Sequence, residues 1–97
     1  MPFDKTIEPR EGSIIDRRNL LLGHWAGMRL GMFGEELSAY AHEIIKADDE
    51  IPGPEDVIAR IVADFAARGI DYPEDLIRLE LERLERQVRA QTWDIAA

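Results

Sequence analysis

In Glu74-Asp75-Leu76-Ile77-Arg78-Leu79-Glu80-Leu81-Glu82-Arg83-Leu84-Glu85-Arg86-Gln87-Val88, the apolar residues Ile77, Leu81, Leu84 and Val88 recur at spacings of four, three and four. That rhythm puts them on one side of a helix and makes a seam that must pack against other helices. Pro73 suits the start of such a helix, and Glu74 and Asp75 fall in its first turn, where the helix dipole favours carboxylates. Glu74, Arg78, Glu82 and Arg86 alternate in sign every four residues, the pattern of a solvated face with weak ion pairs. A helix is expected over about 73–91, with Trp93 and Ile95 beyond it placed to fold back over the open end of a bundle.

Upstream, three more stretches carry the helical period. Val57, Ile58, Ile61, Val62 and Phe65 form one stripe; Pro54 suits the first helical position, and Gly69 is a left-handed stop. Leu37, Tyr40, Ala41, Ile44 and Ile45 recur at i, i+3, i+4, i+7 and i+8 and predict a helix over 35–47. Ser13 reads as an N-cap for a helix over 14–30, whose apolar stripe is Ile14, Leu21, Trp25, Met28 and Met32, with Arg18 snorkelling at its edge. Gly31 and Gly34 end that helix. Residues 1–12, broken by Pro2, Pro9 and Gly12, have no periodic apolar face and are expected to form a flexible N-terminal arm. The expected architecture is all-α: an antiparallel four-helix bundle over 13–97 preceded by an arm over 1–12. No strand pattern competes with it.

Ninety-seven residues without cysteine make one domain that must fold on a modest core, with neither disulfide nor thiolate metal site. No run reaches the roughly 18 apolar residues of a membrane span. The polar start does not read as a secretion signal, so a cytoplasmic protein is expected, monomeric when free. The net charge of −8 is uneven: residues 1–33 carry +1 and residues 34–97 carry −9. An acidic body repels nucleic acid and anionic lipid, while its near-neutral N-terminal third is the part suited to meet a large partner.

Catalytic chemistry finds little to work with. There is no phosphate-binding glycine loop and no nucleophile with a neighbouring base. His24 and His42 lie on different helices without ligand spacing, so no metal site is expected. Asp48-Asp49-Glu50 lacks the alternation and central glycine of a calcium loop. Arg17 and Arg18 are the residues suited to fork onto a phosphate. Enzyme activity is not expected.

Arg17-Arg18-Asn19-Leu20-Leu21-Leu22-Gly23-His24-Trp25-Ala26, then Lys46-Ala47-Asp48, then Asp56-Val57, Ala63-Asp64-Phe65 and Gly69-Ile70 together resemble the zeta subunit of alphaproteobacterial F-type ATP synthases. The resemblance spans about residues 16–90. It implies a four-helix bundle whose N-terminal segment inhibits ATP hydrolysis by folding as a helix between catalytic subunits and blocking the rotor. The partner implied is the catalytic head of the synthase, which would hold the chain at the inner membrane without insertion. No obligate cofactor is implied, although some members resemble weak binders of ATP or ADP. Phe3-Asp4-Lys5 echoes the family's N-terminal pattern, so Phe3, Asp4, Lys5 and Arg10 are the expected partner contacts, and Arg17 and Arg18 the candidates for nucleotide. The stretch before the dibasic run is shorter than in the family, and Pro9 and Gly12 interrupt it. Two other roles stay open: a small helical module that binds adenine nucleotide, and a paralogue with an unrelated protein partner.

Overall fold

A computed structural model describes residues 11–47 and 54–96, the side chains of Glu11 and of residues 92–96 excepted. Four helices follow in order: α1 (Glu11–Arg29), α2 (Gly34–Ala47), α3 (Glu55–Ala67) and α4 (Glu74–Ala96). No strand occurs among the described residues. Each helix packs on the next, and α1 also packs on α4, which closes the ring of a four-helix bundle. The all-α expectation is met. The N-terminal contacts expected at Phe3, Asp4, Lys5 and Arg10, and most of the expected arm, lie outside the described residues.

The helix ends are set by local chemistry. At the end of α1, Met32 N–H donates to Gly27 O at 2.9 Å and Gly31 N–H to Met28 O at 3.1 Å. That pair of bonds is a Schellman motif, and it needs a residue at positive φ, supplied by Gly31 at 87°. Beyond α3 the motif repeats, with Ile70 N–H on Phe65 O, Gly69 N–H on Ala66 O, and Gly69 at φ 73°. Pro54 stands one position earlier than expected, as the N-cap of α3, and its carbonyl accepts from Ile58 N–H at 3.0 Å. Acidic pairs open α2, α3 and α4, where the helix dipole favours them.

The core is one cluster: Leu22, Ala26 and Leu30 from α1, Tyr40 and Ile44 from α2, Val57, Ile58, Ile61 and Phe65 from α3, and Ile77, Leu81 and Leu84 from α4. The stripes of α2, α3 and α4 are those expected. Three expectations are corrected. α1 includes Gly12 and Ser13, so Ser13 does not cap it. Its buried face runs through Ile14, Arg18, Asn19, Leu22, Ala26 and Leu30, which leaves Trp25 half-buried and Met28 65% exposed. And the backbone of α4 stays helical through Ala96, so the chain does not turn back at Trp93.

The rotation of α1 has a steric cause. A Cβ on Gly23 would stand 2.7 Å from Ala41 Cα, and one on Gly27 would stand 2.5 Å from Leu37 Cδ1. α1 therefore meets α2 through its glycines: Gly23 lets the backbone of Ala41 approach, and Gly27 makes room for the side chains of Leu37 and Tyr40.

Candidate interaction surface

At the N-terminal half of α1, Arg18 is only 3% exposed. Its Nη1 donates to Glu85 Oε1 on α4 at 3.0 Å, while Nε and Nη2 both donate to Asn19 Oδ1 at 3.0 and 2.8 Å. Arg89 holds the other oxygen of Glu85 at 2.9 Å. Burial pushes the Glu85 carboxyl upward, but the hydrogen bonds from Arg18 and Arg89 outweigh it and hold the group below its ordinary value. Asn19 is fully buried, and its Nδ2 has no hydrogen-bond partner. The expectation that Arg18 snorkels at the edge is thus corrected: its guanidinium is a polar strut inside the bundle.

Arg17 stands elsewhere. Consecutive helical residues point about 100° apart, and Arg17 is exposed while Arg18 is buried. The two arginines that the sequence offered to a phosphate are not brought to one surface.

A second polar group ties α2 to α3. Tyr40 Oη donates to Asp64 Oδ2 at 2.7 Å, and Arg60 bridges Asp64 at 2.8 Å and Glu43 at 2.7 Å. Burial, aided by the Asp64 carboxylate, pushes the Tyr40 hydroxyl well above the ordinary phenol range. Beside it lies an open cleft of about 410 Å³ lined by Glu43, Lys46, Ala47, Asp56 and Arg60. Its two cations face two carboxylates, so an anion there meets attraction and repulsion together. Only the i, i+4 spacing of Arg60 and Asp64 shows in the sequence; the bonds that join them to Tyr40 and Glu43 run between helices.

Toward the C-terminal end of α1, away from Arg18, Trp25, Phe65 and Tyr72 pack ring to ring with centroids 5.5–6.2 Å apart. The Arg29 guanidinium lies over Trp25 at 4.8 Å and over Tyr72 at 5.3 Å. Arg68 Nη1 donates to Leu30 O, which pins the α3–α4 connection to the α1–α2 turn. Phe33, on that turn, is 81% exposed.

Among the described residues no cluster of three or more His, Cys, Asp or Glu is placed to hold a metal, and no helix is long and apolar enough to cross a membrane. A family model described as ATPase inhibitor subunit zeta matches residues 12–91, most of the chain. Neither a curated protein nor a solved structure matches it significantly.

Proposed function

The chain belongs to the ATPase inhibitor subunit zeta family, a regulatory family of the ATP synthase, and from that premise we propose that it engages the catalytic head of the synthase and opposes rotation in the hydrolysis direction. The supporting observation is the family match over residues 12–91, which coincides with a bundle that presents a helix end at Glu11. Residues ahead of that end, including Phe3, Asp4, Lys5 and Arg10, are the contacts of this reading. In it, the bundle is the body that prevents the segment from passing through the head, and the segment is the wedge.

Inhibition is expected to be weak. Pro9 lacks a backbone donor, at a cost of about 3 kcal/mol in a helix interior. Gly12 is less of an obstacle than its residue type suggests, because it already lies within α1. A bound helix that begins at or just before Pro9 escapes the proline penalty but is too short to include Phe3.

The test is ATP hydrolysis by purified synthase with the full chain and with residues 1–10 deleted. A modest inhibition that disappears on deletion is the expected result. An effect of the full chain that survives deletion, or none together with no binding to the catalytic head, refutes the proposal. Nucleotide binding through Arg17 and Arg18 is a weaker second reading, since only Arg17 is free to meet a ligand.

A further inference from the structure

Arg18 and Asn19 are a costly pair to bury. Asn19 is fully buried, and its Oδ1 accepts from both Nε and Nη2 of Arg18, which leaves its Nδ2 without a partner. Turning the amide over gives no relief, because the guanidinium has only donors and needs the oxygen. An orphaned buried donor lowers stability, and a buried ion pair stabilises no better than apolar side chains of the same size. A helix selected for stability alone has apolar residues at these two places.

The polar layer stands where the bundle changes. The core cluster reaches Leu22 on α1 and Leu84 on α4 and goes no further toward the start of α1. Ile14 and Val88 are buried past the layer, outside that cluster. α1 and α4 have 19 and 23 residues, but α2 and α3 only 14 and 13. α2 runs antiparallel to α1, meets Gly23 at Ala41 and Ile44, and ends about a turn later at Ala47. α1 continues from Gly23 for about 18 Å to Glu11. On that stretch Arg18 bonds across to Glu85 of α4. Apolar contacts are non-directional and tolerate sliding, whereas a guanidinium fork on two acceptors does not.

We infer that the Arg18–Asn19–Glu85 layer is a positioning device: it sets the register of the first turns of α1 on α4, and so the point from which the chain ahead of Glu11 is offered to the catalytic head of the synthase. This rests on the regulatory reading above and deepens it. Asn19 holds the plane of the guanidinium, Glu85 fixes where along α4 it lands, and Arg89 secures Glu85 through its other oxygen. A segment offered from one register binds more tightly than one offered from several, because apparent affinity scales with the fraction of molecules in the competent form.

The test makes the layer apolar at nearly equal volume, with Arg18→Met/Asn19→Leu, and measures both melting and binding to the purified catalytic head by titration calorimetry. Each chain is compared with and without residues 1–10. The double variant is expected to melt at or above the parent, since apolar replacements of a buried ion pair are often neutral or stabilising. It is expected to bind about tenfold more weakly, as when about one molecule in ten holds the competent register. Without residues 1–10 the parent and the double variant are expected to behave alike, because the layer acts through that segment. Equal affinity of the two full-length chains overturns the positioning role and leaves the regulatory reading standing. A tenfold loss that persists without residues 1–10 overturns it too, as does a double variant that melts well below the parent or does not fold, since the layer then holds the fold together. Absence of binding by the full chain overturns both readings.

Discussion

Arg18 Nη1 and Glu85 Oε1 stand 3.0 Å apart across α1 and α4, with the arginine side chain 4% exposed and the glutamate 29%. A cation taken so far from water is tolerated because every arm of its guanidinium donates to an oxygen of Asn19 or Glu85. The pair fixes the sliding register of α1 on α4, since a shift by one residue separates them.

Removal of the guanidinium should be costly. Arg18→Ala leaves Glu85 and Asn19 short of a donor beneath the surface, and a loss of about 3 kcal/mol is expected in urea unfolding. Arg18→Lys should recover little of it, because one ammonium cannot reproduce a planar fork onto two acceptors. Full stability in the lysine variant contradicts the role given to the fork.

Acid should act through Glu85. Its folded carboxyl titrates below the ordinary value of 4.5, so the stabilisation it contributes is complete above about pH 5 and is lost as pH falls through 4.5 and the lower folded value. Unfolding free energy should therefore drop on acidification, and Glu85→Gln should flatten part of that slope. An identical slope in Glu85→Gln places the acid sensitivity elsewhere.

Two glycines of α1 should respond oppositely to alanine. Nothing lies within 4 Å of a Cβ built on Gly12, so Gly12→Ala should gain about 0.5–1 kcal/mol from helix propensity alone. At Gly23 the same Cβ meets the backbone of Ala41, and overpacking of about 1–3 kcal/mol should exceed that gain. Melting temperatures of the two variants decide it: Gly12→Ala above the parent, Gly23→Ala below.

Arg29 should shield Trp25. With Trp93→Phe as background, Arg29→Ala is expected to raise quenching of Trp25 fluorescence by acrylamide and to cost about 0.5–1 kcal/mol for the lost stacking. Unchanged quenching shows that Tyr72 and Phe65 cover the indole by themselves.

Much of the bundle was legible in the residue order. Ile44, Ile61, Phe65, Leu81 and Leu84 are large, regularly spaced and backed by good stops, and all are buried. α1 was misread in rotation because large apolar side chains were weighed above small ones, whereas its packing is decided by Gly23 and Gly27 against Ala41 and Leu37. The burial of Arg18 depends on a carboxylate 67 positions away, and the Tyr40–Asp64–Arg60–Glu43 network joins two helices. A one-dimensional pattern carries neither relation. The contacts expected at Phe3, Asp4, Lys5 and Arg10 fall outside the described residues.

The close packing at Gly23, against the backbone of Ala41, and at Gly27, against the Leu37 side chain, also has a mechanical meaning. A pull on the N-terminal end of α1 along its axis does not peel the helix away turn by turn. It loads the seams with α2 and α4 in shear, so that Gly23, Gly27 and the Arg18 strut resist together and must fail together. A load applied at the N-terminal end of α1 thus reaches the whole body before the helix gives way, as the proposed opposition to rotation would require.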